Sequence, residues 1–397
     1  MRILFLGQRG FNPRNALFGG SSSILAIYRQ LTKQGHSPII VAPSDTDKEE
    51  SFEGGKIYYI RDTFETKAFY KNPLLLASKF VQNFNSIFKL QKIIQKEKPD
   101  IIMFQPSFLA LLSLFLKPIT SKSKFVFRHE DLIFSLSRVK NAGVINRILA
   151  AGLEWFLCFF SDKVLTTQQS QKEKLLEQYG LFGLTPSKIT VVPYVVDMKY
   201  LSAKARAIKE KHEGQYKFMY LGGMGYRQDI PGFLSLILPV LRKRTDLKFI
   251  FVGKELDNKF SSYIKQNDLK NIEIKPPVKY SELPSLANRA DFGLVILKND
   301  KELKYSIPSK FIECMALGKP VFAYGPAGGE LESVIKENDV GIFLKSASDI
   351  EQEINRLIKN RRKFSLNCRR AITESKTFKS ADVFVNSCEV LLEYFNK

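Results

Sequence analysis

At 397 residues, 44% hydrophobic and 25% charged, the chain is too long for one ordinary core and too apolar for disorder, so two domains are expected. Its 61 Lys and Arg against 40 Asp and Glu leave a net charge of +21, which favours anionic partners. Four cysteines (Cys158, Cys314, Cys368, Cys388) lie far apart without C-x-x-C spacing, and none of the three histidines (His36, His129, His212) stands four residues from another. That pattern argues against a disulfide framework or a histidine-rich metal centre and fits a reducing cytoplasm, with no metal expected.

In chain order, residues 1–7 are too short for a signal peptide and read as a first strand. The most apolar runs, 108–116 and 148–160, fall short of the ~20 residues that span a bilayer, and the second contains Glu154, so no transmembrane helix is expected. Further strands are predicted at 37–41, 56–60, 101–104, 124–128, 163–166 and 188–191. Helical patterns fall at 22–34, 74–97, 145–160 and 168–179, with Gly35 ending the first. A Lys-rich connector at 202–215 opens the second half. Its strands read at 217–221, 248–252, 271–274, 292–296, 320–323 and 341–343, and its helices at 231–243, 258–266, 281–288, 309–317 and 329–336. The tail reads as helices at 348–360, 363–375 and 381–395. Two such alternating series predict two doubly wound α/β domains facing a cleft, with ligands at the carboxyl ends of strands. The expected boundaries are 1–197 and 198–377, with a helix over 378–397 packing back on the first domain.

Between residues 66 and 147 there are 14 Lys and Arg against 4 Asp and Glu, interleaved with phenylalanines and tyrosines that include Phe69, Tyr70, Phe80, Phe84, Phe88, Phe108 and Phe115. Such a stretch suits an anionic membrane surface, could suit nucleic acid, and is equally compatible with a solvated helix face over ordinary core phenylalanines.

The most informative segment is 305–321, which reads as a loop, a short helix and a buried strand. Pro308 suits a first helical turn and Gly318 a helix end. Ser309 and Lys310 then stand where free N–H groups and the positive end of a helix dipole would hold a phosphate. Glu313, one turn on, would accept hydrogen bonds from a ribose diol. Gly222-Gly223-Met224-Gly225 follows the first strand of the second half, with Arg227 beside it as a charge partner for the same phosphate, or it is only a tight turn. Gly328 and Gly329 form a third glycine loop at a strand end, over the ligand or as a simple helix cap. In the first half, Gly19 and Gly20 precede a helix, with Ser21 or Ser22 as its cap. The pattern is not G-x-G-x-x-G, which disfavours a dinucleotide. His129, in Arg128-His129-Glu130-Asp131 at a strand end, would orient or deprotonate a substrate hydroxyl, or is a structural histidine. Asp45-Thr46-Asp47, followed by Lys48, Glu49 and Glu50, reads as a solvated loop and not a metal site.

These residues together resemble glycosyltransferase family 4, the two-domain GT-B enzymes that use nucleotide-sugars, over nearly the whole chain. The segment 188–197 is similar to the family's K-I-x-V-I-P-N-G-V-D junction, and Gly318-Lys319-Pro320-Val321 with Gly328-Gly329-x-x-Glu332 looks like its G-K-P-V and G-G-x-x-E signature. The Ile307-Pro308-Ser309-Lys310-Phe311 run resembles most a subset active in bacterial capsule, O-antigen and exopolysaccharide synthesis. The resemblance implies a retaining, metal-independent transferase with no cofactor beyond its UDP- or GDP-linked donor. The acceptor would be lipid-linked or an oligosaccharide, and the protein would be peripheral on the inner face of the cytoplasmic membrane, without nucleic acid. It also implies that Glu313 binds ribose, that His129 lies near the reacting sugar, and that Gly19 and Gly20 face the diphosphate, with Ser309 and Lys310 at the phosphates. Where the family carries Glu, Arg and Lys, this chain has Tyr305, Gly223 and Gln228, so Arg227, Lys304 or Lys310 would supply the charge. The alternatives are a GT-B-fold sugar-nucleotide epimerase or hydrolase, and a non-catalytic basic binding protein.

Overall fold

The structure is a computed structural model; residues 1–7, 20–61, 85–120, 122–204, 214–255, 259–345 and 349–374 are described. The chain divides between Val195 and Val196 into two compact units.

The first unit is built on β1 (Arg2–Leu6), β2 (Ser37–Ser44), β3 (Lys48–Phe52), β4 (Gly55–Arg61), β5 (Ile101–Phe104), β6 (Lys124–His129), β7 (Lys163–Thr166) and β8 (Ile189–Val191). They form one sheet in the order β3-β4-β2-β1-β5-β6-β7-β8, parallel except for β3. The central strands are buried on both faces and read as continuous apolar runs, as crossover helices on both sides require. Those helices are α1 (Gly20–Lys33), α2 (Asn85–Glu97), α3 (Phe108–Phe115), α4 (Ile133–Val139), α5 (Val144–Phe160) and α6 (Gln169–Tyr179). Gly35, at φ +79°, ends α1 as expected.

The second unit begins with α7 (Met198–Ala203) and carries a six-stranded, wholly parallel sheet in the order β11-β10-β9-β12-β13-β14. Its strands are β9 (Tyr216–Leu221), β10 (Leu247–Val252), β11 (Ile272–Lys275), β12 (Phe292–Ile296), β13 (Val321–Tyr324) and β14 (Gly341–Leu344). Phe218, Phe249 and Phe292 lie in register across β9, β10 and β12, with the Phe218 ring 4.6 Å from Phe249 and 4.7 Å from Phe292. This aromatic ladder anchors the core beneath α8 (Ile230–Lys243). The remaining helices are α9 (Lys259–Gln266), α10 (Leu283–Ala287), α11 (Ser309–Ala316), α12 (Glu330–Asn338), α13 (Ile350–Lys359) and α14 (Arg361–Glu374).

Several local expectations change. The polar run after Asp47 is an antiparallel edge strand, β3, and not a loop. Its charged side chains serve an edge, where they discourage pairing with another sheet. Asp47 accepts the Arg61 N–H at 2.8 Å and pairs with Lys89 at 2.6 Å. The helix expected over 281–288 splits into a 3-10 turn, Tyr280–Glu282, and α10, whose first turn holds Pro284. Helix α1 starts at Gly20, with Ser21 and Ser22 in its first turn. Pro308 lies just outside α11, extended at φ −66° and ψ 140°. The helices α4 and α7 had no clear periodic signal. Of the helix predicted over 74–97, residues 74–84 lie outside the described residues, as does the helix predicted over 381–395. Among the described residues no helix is long and apolar enough to cross a membrane.

Candidate functional site

In the second sheet the chain runs from β9 outward to β10 on one side and later returns to β12 on the other. The gap between the carboxyl ends of β9 and β12 is therefore a switch point, where open α/β sheets hold ligands. Gly222 and Gly223 leave β9 there. Gly222 has φ +121°, and a side chain on it would meet Lys310 Nζ at 3.6 Å. A Cβ on Gly253, beyond β10, would lie 1.9 Å from the Gly222 carbonyl oxygen, so this turn packs against bare backbone. Gln228 accepts the Gly225 N–H at 3.2 Å and closes the turn, and the Arg227 carbonyl accepts the Lys298 N–H at 2.8 Å, tying it to the segment after β12.

Helix α11 is delivered to the same place by a glycine in β12. A Cβ at Gly293 would stand 2.4 Å from Cys314 Sγ, so only glycine lets α11 close on the strand. Gly318, at φ +65°, turns the chain out of α11, and its carbonyl accepts the Ser365 hydroxyl at 2.6 Å. Ser309 is half-buried at the amino end of α11, while Lys310 and Glu313 point inward.

The Lys310 side chain is buried. Its Nζ donates to the Tyr220 hydroxyl and lies 4.0 Å from the centre of the Tyr220 ring. The Tyr220 hydroxyl donates in turn to the Gly223 carbonyl at 2.7 Å. Burial, with the nearby Arg227 charge, brings the Lys310 ammonium down to about 7 against the pull of Glu313. Burial likewise pushes the Glu313 carboxyl up to about 7, with Lys310 opposing. Glu313 is 1% exposed, and its Oε1 has no hydrogen-bond partner. A buried carboxylate oxygen left bare costs free energy, so a hydroxyl that donates to it would be well received. Ser309 opens α11 next to the buried Lys310, at the end where a helix presents N–H groups without a partner inside the helix.

The third glycine loop is fixed against the segment that precedes α11. A Cβ on Gly329 would lie 2.9 Å from the Lys304 carbonyl oxygen, which accepts the Glu330 N–H at 2.8 Å. Gly328, at φ +68°, donates its N–H to Glu332 at 2.8 Å. Burial alone would raise the Glu332 carboxyl, but Lys345, the Gly328 N–H and Lys336 outweigh it and hold the group at about 2. Lys319, by contrast, is enclosed: its Nζ donates to the Ala290 carbonyl at 2.8 Å, so it holds the helix–strand turn.

In the first unit, Gly20 opens α1, and Gly19 lies outside the described residues. His129 ends β6, but its ring is fully enclosed and does not stand at an open strand end. Nε2 lies 2.8 Å from Glu154 Oε1, the ring meets Phe127 edge-on, and buried Nδ1 has no partner. Glu154 also accepts the Tyr179 hydroxyl at 2.8 Å and the Ile133 N–H, which satisfies the amino end of α4. Arg128 donates to Ser23 at 2.9 Å and to Glu130.

The structure thus brings Gly222, Gly223, Lys310 and Glu313 together, with Ser309 half-buried at the start of α11. Two residues escaped the sequence reading, Tyr220 and Glu154. The first looked like one more large residue of a buried strand. The second did carry a signal, being the one acid in a mostly apolar helix. Among the described residues no group of three or more His, Cys, Asp or Glu converges on a metal position.

Comparisons with known proteins bear on the family and the fold. The profile of Glycosyltransferase Family 4 matches residues 19–200, and that of Glycosyl transferases group 1 matches residues 202–376. No curated protein matches the sequence. Among solved structures, the chain is similar to sucrose-phosphate synthase from Thermosynechococcus elongatus (12% identity, 99% of this chain and 98% of that one, TM-score 0.75). It is also similar to Anabaena HepE in complex with UDP-glucose (14% identity, 99% and 100%, TM-score 0.67). A third is WaaG, a glycosyltransferase involved in lipopolysaccharide biosynthesis (12% identity, 95% and 96%, TM-score 0.64). Two parallel Rossmann-like sheets, a glycine turn facing a helix amino end, and profile matches over both units make this chain a nucleotide-sugar-dependent glycosyltransferase of family 4 with the GT-B fold.

Proposed function

We propose that the protein transfers a sugar from a UDP- or GDP-linked donor to a lipid-linked or oligosaccharide acceptor in bacterial surface-polysaccharide synthesis. In this reading residues 198–377 bind the donor, residues 1–197 the acceptor, and the protein works peripherally at the inner face of the cytoplasmic membrane. The bare Glu313 Oε1 beside Lys310 carries the donor assignment. The ribose diol would donate to Glu313. The diphosphate would lie against Ser309, the Gly222–Gly223 turn and the Gly328–Gly329 loop, with Lys310 and Arg227 neutralising it. As the bond from the sugar carbon to the diphosphate breaks, charge grows on the leaving oxygen, and these fixed cations and amides stabilise it without a metal. The acceptor hydroxyl attacks from the same face, its proton passing to the leaving diphosphate, with retention. HepE with UDP-glucose and WaaG in lipopolysaccharide biosynthesis, both of similar fold, support the donor and the pathway.

Calorimetry with UDP, GDP and their sugar conjugates tests the donor assignment. One nucleoside diphosphate should bind wild type, and Glu313→Gln should weaken that binding. Equal binding by the variant would remove the ribose role, and no binding of any nucleotide by wild type would remove the donor site.

A further inference from the structure

Helix α5 is built inside out. Its one acidic residue, Glu154, is fully buried, while Ile145, Ile148, Leu149, Phe159 and Phe160 are exposed. These positions recur at helical spacing and make one apolar stripe, about 25 Å long for 17 residues. Nine of the thirteen large hydrophobics exposed among the described residues lie on α5, at Phe115, or in the turn after α6.

The stripe widens at its carboxyl end. The Trp155 ring stacks on Phe159 at 5.2 Å, Phe156 lies 4.5 Å from Phe160 and 6.1 Å from Phe115, and the Trp155 indole N–H donates to the Phe182 carbonyl at 3.1 Å. Leu181, beside Phe182, is 99% exposed. The rim is cationic. Lys117 donates to the Phe160 carbonyl at 2.9 Å, and Lys188 donates to the Phe159 carbonyl and lies 5.2 Å from that ring's centre. Arg147 is on α5 itself, and Arg138 is exposed on α4, which packs against α5. Of the acids close by, Glu154 is inside and Asp162 is paired with Lys117 at 2.7 Å.

We propose that this face of α5, with Phe115 and the Leu181–Phe182 turn, docks in the plane of an anionic lipid leaflet. The apolar stripe enters the boundary between headgroups and acyl chains, Trp155 sits at that level, and the lysines and arginines of the rim meet lipid phosphates. The charge pattern selects this occupant, because a second copy of the same face would set cation against cation. The inference rests on the membrane part of the function proposed above and names its surface, which takes Phe115, Lys117, Arg138, Ile145 and Arg147 from the stretch of residues 66–147 that composition singled out and its other residues from beyond it. Nucleotide binding reads the other part of that proposal independently.

The test is co-sedimentation of the full chain with phosphatidylcholine vesicles, with and without phosphatidylglycerol, at low and high salt. Wild type should bind the anionic vesicles and weaken as salt rises. The double variant Ile145→Glu, Ile148→Glu should lose at least about tenfold in vesicle affinity, with melting temperature and nucleotide binding unchanged. Phe159→Ser with Phe160→Ser should behave alike. Vesicle binding unchanged in both variants would overturn the proposal, as would no binding by wild type. A solution dimer that the variants split would assign the face to a second copy, and a lower melting temperature in both variants would assign it to the chain's own packing; either result overturns the proposal.

Discussion

Each unit buries a carboxylate beside a nitrogen base, and the two are finished differently. In the first, Glu154 has both oxygens engaged, by His129, Tyr179 and the amino end of α4. In the second, Glu313 lies equally deep with Oε1 bare, and Lys310 leans on a tyrosine hydroxyl instead of a carboxylate. A buried carboxylate with both oxygens paired holds a fold together, whereas one with an oxygen left bare costs stability and is explained when a ligand completes it. The contrast separates scaffold from site more sharply than sequence position does, since both groups follow strands at similar places in their sheets.

The largest effect that would break the comparison is on the scaffold side. Glu154→Ala should lower unfolding free energy by about 3–5 kcal/mol, because it strands the His129 nitrogen, the Tyr179 hydroxyl and the first N–H of α4. Chemical denaturation reads this directly, and a loss under about 1 kcal/mol would erase the distinction.

On the site side, Glu313→Gln should leave stability unchanged or raise it slightly, while nucleoside diphosphate affinity falls roughly 10- to 100-fold, the worth of hydrogen bonds to a charged group. A clear drop in melting temperature with affinity intact would make Glu313 a second scaffold residue.

A pH profile sharpens the same point. Ribose hydroxyls favour the Glu313 carboxylate, so affinity should rise as pH climbs to about 7, where that carboxyl ionises. The diphosphate favours the Lys310 ammonium, so affinity should fall above about 7, where it deprotonates. Each limb has a limiting slope of about tenfold per pH unit. Glu313→Gln should abolish the acid limb and Lys310→Met the alkaline limb, and a profile flat from pH 5 to 9 would refute both assignments.

The smallest effect belongs to Tyr220→Phe. It keeps the ring under Lys310 and removes the hydroxyl that joins Lys310 to the Gly223 carbonyl. Nucleotide affinity should fall about tenfold or less, with the alkaline limb shifted, because one neutral hydrogen bond is lost. A variant indistinguishable from wild type in that limb would make Tyr220 mere packing.

Much of the fold was legible because it rests on short-range signals. Apolar runs of four to six residues flanked by glycine marked the strands, and Gly35 and Gly318 marked helix ends, since a positive φ is a local requirement. The segment around Ser309 was legible for the same reason, a helix start being written in a few adjacent residues. The edge strand after Asp47 was not, because charge on an edge strand reads like a loop until its partner is known. Nor was the state of His129: a histidine at a strand end looks available until α5, 25 residues later, lays Glu154 against it.

The sequence by itself determined two α/β units, the glycine turns at Gly222 and Gly328, and a helix start at Ser309. These follow from backbone conformations that neighbouring residues set. Only the tertiary structure decided which charges are satisfied. Lys310 reaches Tyr220 across 90 residues, Glu313 is left bare, Glu154 turns inward and the stripe on α5 turns out. Burial and hydrogen-bond partnership come from packing between distant segments, which local pattern does not encode.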